Sequence, residues 1–246
     1  MNLNRFTCLP LCAALVLFLS SCGNNDTTAD TTTTNTDSSK NAVTTPTATN
    51  TIVTTPQNMM VVKHRVADFG KWKASYDEHD SMRLASGIHS YVIGRSVSDS
   101  NMVLVAVKED DLAKAKAFAK DPSLKKAMQK GGVTGAPTIQ FVTMVWQDTA
   151  MLSNPLRSRT TFTVKDFDAW QKAFQSHQQE RIDNGLIDRA FGHETDNDKK
   201  VTLVVAVADT AKAQAYWKSD LLKQRRAESG VTTQPVRFIY RVVQRY

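Results

Sequence analysis

The sequence predicts an α+β protein in which one ferredoxin-like βαββαβ unit is written twice in tandem. Three observations carry that expectation. First, "DFGKWKASYDEHDSMRLASG", from Asp68 to Gly87, returns as "DFDAWQKAFQSHQQERIDNG", from Asp166 to Gly185, with Asp, Phe, Trp, His, Arg and Gly at the same spacings and Tyr76 answered by Phe174. At the same offset of 98 residues, 22 of the 72 positions from Val66 to Pro137 are identical without a gap. A solenoid would need a shorter period and more copies. Second, strand-like and helix-like patterns follow one another in the same order in both copies. Third, the 246 residues are 41% hydrophobic and 22% charged, ample for a packed core.

The elements follow in chain order. Arg5 precedes an apolar run, Leu9 to Leu19, which is too short for a comfortable permanent span. Leu19-Ser20-Ser21-Cys22-Gly23 closes the run and resembles a bacterial lipobox, which implies a signal peptide over 1–22 and lipidation of Cys22. Gly23 stands where an Asp retains some bacterial lipoproteins in the inner membrane, so the expected address is the cell envelope, lipid-anchored, with the outer membrane preferred. Cys8, Cys12 and Cys22 are the only cysteines. A chain cut before Cys22 therefore keeps no thiol for disulfides, Cys-based metal sites or nucleophilic catalysis. Residues 23–58 are rich in Thr, Asn, Asp and Ser. They have too little apolar surface to offset their ordering entropy and read as a disordered tether.

Repeat 1 is expected over 59–148 and repeat 2 over 157–246, with 149–156 as connector. Met60 to Val66 is short and β-branched, a first strand, and Arg159 to Val164 is its counterpart. Asp68 N-caps a helix that runs to about Ser86 and stops at Gly87; Asp166 and Gly185 do the same in repeat 2. Ile88 to Val97 and Met102 to Lys108 read as a hairpin around Ser98-Asp99-Ser100-Asn101. Asp111 to Lys120 and Leu124 to Lys130 are helical, separated by Asp121-Pro122. "TIQFVTMVW" closes the unit as its last strand. This is the order of the ferredoxin-like motif. Its helices cover one sheet face and leave the other to be buried.

The combination "VKHRVADFGKWK", "DEH", Arg83 and Gly87, then "DPSLKKAMQKGGVTGAP", resembles the dimeric α+β barrel superfamily, nearest the small proteins grouped with antibiotic-biosynthesis monooxygenases. The resemblance runs from about Met59 to Tyr246. It implies that the two units close a pseudo-dimeric α+β barrel, with both halves here in one chain.

On a wheel of 100° per residue, Phe69, Trp72, Tyr76, His79, Arg83 and Gly87 fall within an arc of about 80°. Phe167, Trp170, Phe174, His177, Arg181 and Gly185 repeat the stripe. A His and an Arg on the sheet-facing side need partners, because a bare buried charge is costly. On the first strand Val62, His64 and Val66 share a face. Phe162 stands in the place of His64 in repeat 2, so that face is the buried one. His64, Trp72, Tyr76, His79 and Arg83 are thus expected around one pocket, and Trp170, Phe174, His177 and Arg181 around a second that lacks the strand His.

Three readings remain open from the residues. The pocket binds a small, partly aromatic molecule. Or, as the resemblance implies, it is a cofactor-independent oxygenase in which His79 accepts a proton and Arg83 steadies an oxyanion. Or the His and Arg are structural, the His held by a backbone carbonyl and the Arg by a carboxylate, in an envelope assembly module. The superfamily includes haem proteins with a histidine ligand, but no further haem feature, nucleotide loop or metal motif is legible, and no cofactor or metal is expected. The net charge of +7 is spread thinly, which argues against a nucleic-acid groove. Arg237, Arg241 and Arg245 alternate, either along one sheet face or on an exposed edge strand.

Overall fold

The computed structural model describes residues 50–246. The expected signal segment, Cys22 and most of the tether lie outside the described residues. The elements are β1 (Ile52–Val53), β2 (Gln57–Val66), α1 (Phe69–Glu78), α2 (Asp80–Ala85), β3 (Ile88–Ser96), β4 (Met102–Glu109), α3 (Leu112–Phe118), α4 (Pro122–Lys130), β5 (Val133–Asp148), β6 (Leu156–Thr163), α5 (Phe167–Ser176), α6 (Gln178–Asp183), β7 (Leu186–Glu194), β8 (Asn197–Val207), α7 (Thr210–Lys218), α8 (Asp220–Glu228) and β9 (Val236–Arg245). No described helix is long and apolar enough to cross a membrane.

The strand order is β1-β5-β2-β4-β3-β9-β6-β8-β7, and β5 also pairs with β7, so the sheet closes on itself. All pairings are antiparallel. Each repeat keeps the ferredoxin-like order, β5-β2-β4-β3 and β9-β6-β8-β7. The two join at the β3–β9 and β5–β7 seams to make the expected pseudo-dimeric barrel. Equivalent glycines sit at the seams, Gly94 opposite Val242 and Gly192 opposite Met144. A Cβ on Gly94 would strike the Tyr240 ring, and one on Gly192 would strike the Thr143 carbonyl. The strands can approach there only because that atom is missing.

Period-two alternation sorts the side chains into two layers. Met60, Val62 and Val66 of β2 pack under the helices with Trp72, Ile93 and Val103, while Met59 and Val61 point into the barrel with Leu104, Val142, Met144 and Tyr240. Each such aliphatic side chain, once buried, contributes about 1.5–3 kcal/mol. The caps are where the sequence put them. Asp68 accepts from the Lys71 amide and Asp166 from the Ala169 amide, both at 2.7 Å. Gly87 and Gly185 take φ of 66° and 73°.

Four expectations are corrected. The tether does not reach residue 58: Ile52 and Val53 pair with Asp148 and Gln147, and Gln57 and Asn58 already belong to β2. The β-branched Ile52 and Val53 hide in a Thr-rich composition that masks a strand. The connector ends early too, since Leu156 opens β6. The last strand of repeat 1 starts at Val133, before Pro137, because an irregularity opposite Lys63–Arg65 absorbs the Gly-Ala-Pro segment. Arg237, Arg241 and Arg245 share neither a face nor an edge. β9 is hydrogen-bonded on both sides, and a register shift that skips Val243 turns Arg245 toward the barrel interior while Arg237 faces the helices.

Candidate functional site

The expected helix from Asp68 to Ser86 is two helices, and the joint is His79, at φ −96° and ψ 20°. The stripe residues themselves hold the break. His79 Nδ1 donates to the Ser75 carbonyl at 2.7 Å, and Arg83 Nη1 donates to the Tyr76 carbonyl at 2.6 Å. Both carbonyls lie in the last turn of α1, where helical partners run out. Repeat 2 breaks likewise at His177, and Arg181 Nη1 donates to the Phe174 carbonyl at 2.6 Å. The guanidinium carbons sit over the rings of Tyr76 and Phe174, 3.7 Å and 3.5 Å from the centroids. The repeated Arg therefore has a local task in both copies: it staples a helix joint to an aromatic ring.

Beneath the joint of repeat 1 lies a cavity of about 90 Å³ between the helices and the sheet. His64, Trp72, Tyr76, His79 and Arg83, the residues expected there, all line it, together with Met60, Val62, Met82, Phe118, Met128 and Ile139. His64 is the unusual member. It is 4% exposed, and neither ring nitrogen has a hydrogen-bond partner. Burial pushes its pKa down from 6.5 to about 4, so the ring is neutral at physiological pH. Its ring lies 5.3 Å from that of Trp72, which lies 5.3 Å from Tyr76. The Tyr76 hydroxyl is tied to Ser90 at 2.8 Å. Arg83 Nη2 meets Asp80 at 2.9 Å, and only its buried Nε lacks a partner.

The equivalent cavity of repeat 2 is also about 90 Å³ and gathers Trp170, Phe174, His177 and Arg181 as expected. Its chemistry differs. Phe162 replaces His64, and Arg225, Arg226 and Arg237 occupy positions held by Ala127, Met128 and Ile139 in repeat 1. Arg225 is paired with Glu180 at 3.1 Å. Arg237 lies 4.1 Å from the Trp217 centroid, and burial and the neighbouring Arg226 lower its pKa to about 10. Arg181 is bidentate to buried Asp188, at 2.8 Å and 2.6 Å. Of these additional arginines only Arg237 stands out in the sequence, through its alternation with Arg241 and Arg245. Arg225 and Arg226 lie on α8, whose sequence carries no clean apolar stripe.

Among the described residues no three His, Cys, Asp or Glu side chains cluster as metal ligands would.

No protein-family model matches the sequence, and no curated protein matches it. Solved structures do. An anthrone oxidase-like protein superposes with a TM-score of 0.54 at 14% identity, covering 78% of this chain and 94% of its own. A protein of Fusobacterium nucleatum named as a candidate monooxygenase gives 0.51 at 12% identity, covering 77% and 93%. At such identities the likeness concerns the fold, and it agrees with the closed sheet: the chain has the fold of an α+β barrel whose two ferredoxin-like halves lie in one polypeptide.

Proposed function

We propose that the helix–sheet cavity of repeat 1 binds a small, partly aromatic molecule with His64 as its hydrogen-bonding anchor, on a protein held at the cell envelope, outer membrane preferred, by a lipid on Cys22. One observation carries the binding reading. His64 is buried with two unsatisfied nitrogens on the wall of a mostly apolar cavity. Such a group is costly to leave unpaired, and a bound hydroxyl or carbonyl restores the missing bond. Trp72 and Tyr76 offer ring faces, and Met82 and Met128 adapt their shape to what enters. The size suits a single-ring molecule. The anchor rests on the Leu-Ser-Ser-Cys-Gly sequence.

A second reading, a cofactor-independent oxygenase, is favoured by the same ring. A neutral imidazole in a water-poor cavity is already in its proton-accepting form, although its lowered basicity restricts it to acidic hydroxyl or C–H donors. The electron-rich anion so formed would be the species that meets O₂. Calorimetry and Trp72 fluorescence with a panel of phenols, quinols and their methyl ethers, on the full chain, test both readings. The free hydroxyls should bind, and His64→Phe should weaken them roughly tenfold or more while leaving the protein folded. Equal affinity in that variant would sink the proposal. Oxygen uptake with a bound quinol would select the enzyme, and binding without uptake the carrier.

A further inference from the structure

The barrel interior holds a third cavity, of about 80 Å³, opening where β5 and β9 end and β6 and β7 begin. Its lining is split between the repeats. Repeat 1 supplies Met59, Val61, Leu104, Val142 and Met144. Repeat 2 supplies Arg157, Arg159, Arg189 and Arg245. At the repeat offset, Met59 and Val61 are the counterparts of Arg157 and Arg159.

Four guanidinium groups face one carboxylate, and that one is spoken for: Asp148 pairs with Arg189 at 2.6 Å and accepts from Thr51 at 2.7 Å. Among the described residues no carboxylate lies within salt-bridge distance of Arg157, Arg159 or Arg245. Arg157 and Arg159 are 2% and 4% exposed. Arg157 donates to the Asn154 and Leu156 carbonyls, and Arg159 donates only to Thr202 Oγ1, at 3.1 Å, leaving its Nε with no partner. Glu194, the next acidic group felt by Arg159, is paired with Lys200 at 3.1 Å. Lys63, across the barrel, adds charge rather than cancelling it. Burial, more than any neighbour, lowers both Arg157 and Arg159 to about 10, so both remain charged at neutral pH. Buried cations left this way call for an anion.

We propose that the barrel interior is a second ligand site, which takes a small carboxylate, its head on Arg157, Arg159 and Arg245 and its apolar part against Met59, Val61 and Met144. The planar guanidinium fork matches a carboxylate. The apolar half of the lining would be wasted on inorganic phosphate, and the volume excludes large acids. This site faces away from the His64 cavity, across the sheet, and does not depend on what that cavity binds.

The test is calorimetry and thermal melting of the full chain with acetate, butyrate, benzoate and inorganic phosphate, at constant ionic strength made up with chloride. One saturable carboxylate site per chain is expected, tighter for butyrate than for acetate. Arg157→Met and Arg159→Val, which install the residues of the sister repeat, should each weaken it roughly tenfold or more, while His64→Phe leaves it unchanged. In anion-poor buffer the same two variants should melt higher than the parent. Labelled butyrate at saturation should show NOEs to the Met59 and Met144 methyl groups, a readout that needs no variant. Carboxylate binding no better than chloride, binding untouched by both Arg variants, absent NOEs, or saturation by phosphate alone would each overturn the proposal.

Discussion

The two helix–sheet cavities are built on one plan and lined for different chemistry. Each lies under a helix joint at a His, with an Arg stapled onto an aromatic ring, and each encloses about 90 Å³. The first then places an unpartnered neutral imidazole among apolar walls. The second puts a phenyl ring in its place and brings in arginines. What the copies share is therefore the frame, and what they do not share is the material for ligand choice. The Arg, bonded to a helix-end carbonyl and laid over a ring in both copies, is part of that frame.

The ion pairs sharpen that distinction most. Arg181 is paired with Asp188, and both are 6% exposed, whereas Arg83 is paired with Asp80, which is 50% exposed, because Ser90 stands where Asp188 does. Arg181→Met should thus strand a buried carboxylate and cost about 3–5 kcal/mol, while Arg83→Met leaves Asp80 to water and costs about 1–2 kcal/mol. Adding Asp188→Ser to Arg181→Met should recover much of the loss. Urea unfolding of the three variants measures this, and equal costs in the two repeats would refute it.

A difference in pH response comes next. His64 titrates near 4 in the folded protein against 6.5 when unfolded. The unfolded chain therefore binds more protons between those values. The contribution is complete above about pH 6.5 and lost as pH falls toward 4, about 3 kcal/mol in all. His64→Phe, the residue of repeat 2, should remove that part of the acid sensitivity, read as the change in unfolding midpoint between pH 7 and pH 4.

The smallest effect concerns Glu109, at the end of β4. It is 8% exposed, and neither oxygen has a partner. Burial raises its pKa, although Lys116 draws it back. Val207 occupies this place in repeat 2. Glu109→Val should add about 1 kcal/mol at pH 7. The gain should shrink as pH falls through the carboxylate range, where the parent side chain becomes neutral.

The duplication, the caps at Asp68 and Asp166, the closing glycines and the membership of both cavities were legible, because local patterns encode them. The joint at His79 was not. Two short helices joined through a single residue read in sequence as one long helix, so the stripe runs through the break unmarked. The arginines of β6 were hidden for a different reason. "RSRTTF" alternates charge with small residues, the usual sign of a strand with one wet face. Only closure of the sheet turns that face inward, and closure depends on the β3–β9 and β5–β7 seams, which join strands of different repeats. His64 was located through its counterpart Phe162, which shows that a duplicated sequence carries its own internal control.

The seams marked by Gly94 and Gly192 carry a last consequence. A barrel assembled from two identical chains must present every inward residue twice, on opposite sides. Here a single polypeptide supplies both walls, so the wall of Met59 and Val61 can stay oily while the wall of Arg157 and Arg159 is cationic. A polarised lumen of that kind is closed to any strict homodimer, and in this chain it is complete in one molecule at any dilution.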